Sequence, residues 1–119
     1  MSGRGATASG QSPVGHRRYV DYTGTVRLEW HHDKAVRNEA KHGVMFAEAA
    51  SVFLDPLAVI FDDEWYSGAE HREIIVGQSD AGRLLVVCFT EREPEFVRII
   101  SARQATKRER DDYEENVLN

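Results

Sequence analysis

The stretch Leu84–Phe89, "LLVVCF", constrains the fold more than any other. Both of its alternating sets are apolar: Leu84, Val86 and Cys88 on one side, Leu85, Val87 and Phe89 on the other. A strand of this kind must be covered on both faces, so it belongs in the middle of a sheet. Its neighbours are further strand candidates at Leu57–Phe61, Arg72–Gly77 and Phe96–Ala102. The links between these runs are short and turn-rich: Asp62-Asp63-Glu64, Ser79-Asp80-Ala81-Gly82 and Arg92-Glu93-Pro94-Glu95. Short links make sequential strands antiparallel, which predicts a four-stranded meander.

Helices complete the pattern. "VRLEW", Val26 to Trp30, alternates like a short half-buried strand. Asp33 to His42 reads as a helix, with Gly43 placed to end it as a left-handed residue. Phe46, Ala49, Ala50 and Phe53 recur at helical spacing in a second helix that Asp55-Pro56 stops. Thr106-Lys107-Arg108-Glu109 fits a capping box, so a last helix runs from about Lys107 to Asn116. The order is strand, two helices, meander, helix, which is a compact α+β domain.

At 119 residues the chain has room for one core. Residues 1–24 are rich in Gly, Ser and Thr and carry no apolar period, so a flexible leader is expected there, ordering near Tyr19 to Tyr22. Residues 25–119 form the domain. No run approaches the roughly 20 apolar residues of a membrane span, and the first residues lack a signal peptide's apolar core. The expectation is a cytoplasmic protein that does not engage membranes. Cys88 is the single cysteine, so no intramolecular disulfide is possible, and a small buried hydrophobe is the expected role.

Several chemistries are missing. The chain has no Gly-rich phosphate loop ending in Lys-Ser/Thr, and no GxSxG elbow. His31 and His32 are adjacent and point apart, while His16, His42 and His71 are scattered, so no metal-ligand spacing appears and no cofactor is expected. Asp62-Asp63-Glu64 could hold a hard cation weakly, but a solvated acidic turn is the better reading.

What remains is cationic. Arg72 starts one strand, Arg92 follows another, and Arg98 and Arg103 lie on the last. By strict alternation Arg98 shares a face with Phe96 and Ile100, and Arg103 with Val97 and Ile99. Meander geometry brings Arg72 near Thr90 and Arg92 at one rim, with Arg98 further along the same ladder. Converging guanidinium forks suit a phosphodiester. Pairing with Glu70, Glu73, Glu91 and Glu95 explains the same arginines without any ligand. Lys34 and Lys41 lie on a polar helix face, and His42 near a helix C-terminus. Lys107, Arg108 and Arg110 crowd the start of the last helix, where the macrodipole disfavours cations, an order that points to contact rather than folding. A formal net charge of −5 argues against a general nucleic-acid coat but leaves a local basic patch open.

The segments "EWHHDKAVRNEAKHGVMFAEAASVFLDPLA", "EHREIIVG", "GRLLVVCFTERE" and "VRIISARQATKRERDDYEE" together resemble the BrnT family of toxins over about residues 26–115. The family pattern falls on Trp30, Lys34, Asn38, Lys41, His42, Gly43 and Val44, on Glu70 and Arg72, on Thr90 and Arg92, and on Arg98 to Arg103. His31 stands where the family has an acid, and Met45 where it has Ser or Thr. The resemblance implies a RelE-like fold and the toxin half of a type II toxin–antitoxin pair. It implies an endoribonuclease without a bound metal, silenced by a BrnA-like ribbon-helix-helix antitoxin that alone carries the contact to operator DNA. On that reading Arg72, Arg92 and Arg103 stabilise the transition state. His42 or Glu70 serves as base, with Lys41 or the other of that pair as acid. Lys34, Lys41, Arg98, Lys107, Arg108 and Arg110 then bind the RNA backbone. The alternative is a non-catalytic interaction module whose arginines hold an acidic partner or nucleic acid.

Overall fold

The computed structural model describes residues 18–19, 27–63, 68, 70–93 and 96–118. The elements are β1 (Arg18–Tyr19), β2 (Arg27–Glu29), α1 (His32–His42), α2 (Phe46–Ser51) with a 3-10 turn over Val52–Leu54, β3 (Val59–Asp62), β4 (Glu73–Gln78), β5 (Leu84–Glu93), β6 (Phe96–Gln104) and α3 (Lys107–Leu118). Among the described residues they form one mixed sheet in the order β1-β3-β4-β5-β6-β2. β3 to β6 are the antiparallel meander that the short links require. β2 joins the outer edge of β6 in parallel, and β1 pairs with β3. The expected leader lies outside the described residues except for Arg18–Tyr19. Among the described residues no helix is long and apolar enough to cross a membrane.

β5 is the central strand, covered on both faces. Leu85, Val87 and Phe89 join Phe46, Phe53, Ile75, Val97 and Ile99 in the core beneath α1 and α2. Leu84 and Val86 join Val59, Val76 and Tyr113 beneath α3. Tyr113 is buried and its hydroxyl donates to Asp55 Oδ2 at 3.2 Å; burial and the carboxylate push the phenol up to about 12. Asp55 Oδ2 also accepts from the Gln78 amide at 2.7 Å, and Gly77 leaves the room for it, since a Cβ there would stand 3.0 Å from Asp55 Oδ2 and 2.8 Å from Ala58 Cβ.

α1 is fastened by a side chain rather than by a stripe. Its one buried residue is Asn38. Asn38 Nδ2 donates to Ala102 O at 2.8 Å and Oδ1 accepts from Ala102 N at 3.1 Å, the pairing a neighbouring strand would supply. The carboxamide thus continues the edge of β6 beyond Arg98, where β2 ends. Nδ2 also donates to Val44 O, tying in the chain after Gly43, whose φ of 70° ends the helix as the sequence predicts. The capping box at α3 forms as read: Glu109 N donates to Thr106 Oγ1 at 3.1 Å and Thr106 N to Glu109 Oε1 at 2.9 Å. Neither α1 nor α2 has a side-chain cap, because His31 and Met45 occupy their N-cap positions.

Candidate active site

Straight alternation misplaces one residue of β6. The register pairs Phe89 with Ile99 but Cys88 with Ser101, so Ile100 is the extra residue of a β-bulge. Past it the faces exchange. Ala102 joins Val97 and Ile99 in the α1–α2 core, and Arg103 turns to the α3 side, opposite Val86. Arg103 therefore shares a face with Arg98, not with Val97 and Ile99. A second shift, between Glu91 and Glu93, leaves Arg92 exposed in a bulge near the end of β5.

On the α3 side, beyond the cover that Tyr113 gives to Val76 and Val86, a polar row crosses the strands. Glu29 pairs with Arg98 across β2 and β6, and Arg98 with Thr90 across β6 and β5. Extending the β4 ladder by one residue past Glu73 and Phe89 brings Arg72 opposite Thr90. Thr90, buried, donates its hydroxyl to His71 O at 2.7 Å and so fixes the chain just before Arg72. Arg98 Nε donates to Glu29 Oε2 at 3.0 Å, and Arg98 Nη1 lies 3.5 Å from His31 Nε2. At the other end Arg72 Nε donates to Glu70 Oε1 at 3.0 Å. Cys88 lies half-buried behind the row, 3.9 Å from Asp63 Oδ2; burial first, then that carboxylate, pushes its thiol up to about 11. Such a thiol stays protonated and is no nucleophile.

The candidate residues thus fall into three places. Arg72, Glu70 and Arg98 share the row, with Arg92 near the end of β5. Arg103 sits further along β6, where both terminal nitrogens reach Glu109, each at 2.8 Å. The Arg103 hydrogen bonds pull the Glu109 carboxyl down to about 2, against the opposing effect of burial. Arg103 is therefore engaged in holding α3. Lys107, Arg108 and Arg110 follow on that helix, exposed, with Lys107 bonded to Asp111 at 2.9 Å. His42, Lys41 and Lys34 lie on α1, which starts beside the row at His32 and runs away from it. His42 is ten residues on, about 15 Å along the axis. The adjoining Gly43 O accepts from Arg83, which grips both oxygens of Glu48 at the opposite end of the sheet. His42 and Glu70 do not meet.

One grouping is invisible to spacing. Asp62, His71 and Glu73 put a ligand atom each within 4.8 Å of one another, with His71 Nε2 3.2 Å from Asp62 Oδ1. Cross-strand pairing of Asp62 with Glu73 makes it, on the face opposite the row. These are the described residues that could hold a metal ion.

The comparisons with known proteins agree with this architecture. The family model described as "Ribonuclease toxin, BrnT, of type II toxin-antitoxin system" matches residues 30–109. This chain belongs to the BrnT family. The match runs from Trp30 to Glu109, from the start of α1 through the capping box. A solved BrnT relative, the ribonuclease toxin of Brucella abortus, superposes with a TM-score of 0.54 at 26% identity, covering 70% of this chain and 100% of that one. No curated protein matches. As a BrnT-family member the chain is the toxin of a type II toxin–antitoxin pair, in a family described as ribonucleases.

Proposed function

We propose that the protein is an endoribonuclease that cleaves RNA at the Glu29–Arg98–Thr90–Arg72 row, needs no metal ion, and is neutralised by a BrnA-like ribbon-helix-helix antitoxin. One observation supports this above the rest: the register pairs Arg98 with Thr90, and carried one residue past its last β4–β5 pair it sets Arg72 on the other side of the same threonine. Neighbouring strands are about 4.8 Å apart, so Arg98 and Arg72 rise from backbones about 10 Å apart. That span suits two guanidinium groups closing on one phosphodiester.

The chemistry then follows from RNA itself. The 2′-hydroxyl attacks the adjacent phosphorus in line with the leaving 5′-oxygen. Negative charge gathers on the non-bridging oxygens, and Arg72 and Arg98 meet it with preorganised N–H donors. Arg92 adds a cation near the end of β5, and the exposed Lys107, Arg108 and Arg110 guide the backbone. Arg103 acts through the fold, by fixing α3. The products are a 2′,3′-cyclic phosphate and a 5′-hydroxyl. The expected RelE-like arrangement would set such a site on the sheet face, which is where the row lies.

Purified protein freed of antitoxin should cut a defined RNA oligonucleotide in EDTA and leave these two ends, read by mass spectrometry. Arg72→Ala and Arg98→Ala should remain folded and lose cleavage. RNA left intact by folded wild-type protein, at several pH values and with ribosomes added, sinks the proposal; binding without cleavage would instead mark a non-catalytic interaction module.

A further inference from the structure

The row supplies cations, and a proton acceptor has to come from the groups around them. His42 stands about 15 Å along α1. The two carboxylates of the row, Glu29 and Glu70, are each held on an arginine Nε at 3.0 Å by short charge-assisted bonds, whereas the contact of His31 with Arg98 is longer, at 3.5 Å. Thr90 spends its hydroxyl proton on His71 O. Cys88 keeps its proton. Among the described residues another group stands directly against Arg98: the imidazole of His31.

We infer that His31 is the general base of this site, taking the proton of the RNA 2′-hydroxyl on Nε2; the inference rests on the ribonuclease reading above. Three observations carry it. His31 Nε2 lies 3.5 Å from Arg98 Nη1, and a guanidinium can only donate, so the tautomer protonated on Nδ1 is the one that turns a lone pair towards it. That places an acceptor beside the cation that would hold the phosphate, as a nucleophile one bond from that phosphate requires. The imidazole is also uncommitted to the helix it precedes. His31 is the N-cap of α1, with φ −81° and ψ 132°, yet makes no side-chain cap bond. Finally, Arg98 is held from its other side by Glu29, so the guanidinium is fixed relative to the ring.

The step balances as follows. Nε2 takes the 2′-hydroxyl proton as the O2′–phosphorus bond forms and the phosphorus–O5′ bond breaks. The leaving 5′-oxygen takes a proton from water. The imidazolium then gives its proton to the hydroxide left behind, which restores the neutral ring. No oxidant, metal or further reactant enters.

The test uses the full chain, freed of antitoxin, with the same RNA oligonucleotide. His31→Ala should lower kcat by about 100- to 10,000-fold, the usual worth of a positioned base. Affinity for the uncleavable 2′-deoxy oligonucleotide should stay within a factor of about three, roughly 0.7 kcal/mol at RT ln 3. Added imidazole should restore part of the His31→Ala rate. His31→Asn, which can cap α1 and so keeps the fold secure, should show the same loss. A substrate with sulfur replacing the bridging 5′-oxygen, which needs no acid to leave, should not rescue either variant. Cleavage by His31→Ala at the wild-type rate overturns the inference while leaving the ribonuclease reading intact. Rescue by the sulfur substrate overturns it too, since His31 would then be the acid. If wild-type protein cuts no RNA, both fall together, and only that outcome removes the ribonuclease reading.

Discussion

Arg98 and Arg103 lie five residues apart on one strand and, through the Ile100 bulge, on one face, yet they are bound in opposite ways. Arg103 places both terminal nitrogens on Glu109, a fork-to-fork pair in which the carboxylate also closes the capping box of α3. Arg98 holds Glu29 through Nε and turns a terminal nitrogen towards an imidazole. A guanidinium that spends its fork on its own chain is part of the scaffold. One held by its inner nitrogen keeps its position while its tip stays turned to a neighbouring imidazole. On the proposed reading, the same arginine pattern in sequence carries two jobs, divided by which carboxylate the fold brings up.

The largest expected effect separates these jobs directly. Arg98→Ala should cut RNA cleavage by about 100- to 1,000-fold, the usual worth of one preorganised donor to a developing charge. Its melting temperature should barely move. Arg103→Ala should do the reverse. Its pair is more than a third exposed, so after solvent screening the loss of stability is about 1 kcal/mol, with cleavage per folded molecule retained. Thermal melts beside RNA assays on both variants decide it. A catalytic collapse in Arg103→Ala at unchanged stability would erase the distinction.

Acid sharpens the same contrast. The Glu109 carboxyl lies at about 2 instead of the ordinary 4.5, first because of its Arg103 hydrogen bonds. A depressed carboxyl favours the folded state wherever it is ionised in both states, and that contribution drains away as pH falls from about 5 towards 2. Glu48, lowered first by its Arg83 hydrogen bonds, adds to the same slope. Glu109→Gln should be less stable than wild type near pH 7 and should close that gap as the pH drops. Urea melts at stepped pH would show the two curves converging; parallel curves would mean that the pair contributes nothing to folding.

Local signals were readable in the sequence and long-range ones were not. The capping box, the Gly43 stop and the doubly buried β5 each depend on residues within a few positions of one another. The meander followed because its links are too short for crossovers. Arg103 was assigned to the wrong face because alternation assumes a straight strand, and the bulge at Ile100 leaves no mark in composition. Asn38 reads as one polar residue on a polar helix face; only the edge of β6, 64 residues away, makes it a strand substitute. The Asp62–His71–Glu73 group and the Glu29–Arg98 bond both need the register between strands. His31 stands out in the sequence only through what the resemblance implies, and its place against Arg98 needs the fold.

A smaller effect tests the His31 position by itself. An Asp there can accept a backbone N–H from the first turn of α1 and place an anion at the positive end of its dipole. His31→Asp should therefore raise stability by about 1 kcal/mol, read as a higher urea midpoint at unchanged slope. No gain would mean that the turn before α1 is already satisfied by solvent.

The smallest effect on folding belongs to the basic turn of α3. Lys107, Arg108 and Arg110 are exposed, and cations at a helix start cost a few tenths of a kcal/mol each. Lys107 recovers part of that through Asp111, four residues on, although cation-before-anion is the weaker order for such a pair. The helix is held elsewhere, by Tyr113 and Val117 on the sheet and by Glu109 on Arg103. Changing all three cations to Gln should thus leave the melting temperature unchanged or slightly raised. RNA binding should respond through counterions instead. Each phosphate contact on a single strand contributes about 0.7 to the slope of log affinity against log salt, so full loss of three contacts would flatten it by about 2. Lys107 already holds Asp111, which makes a change nearer 1.4 the expected value, two contacts at about 0.7 each. An unchanged slope would show that the turn faces only solvent, and the basic patch would then end at the row on the sheet.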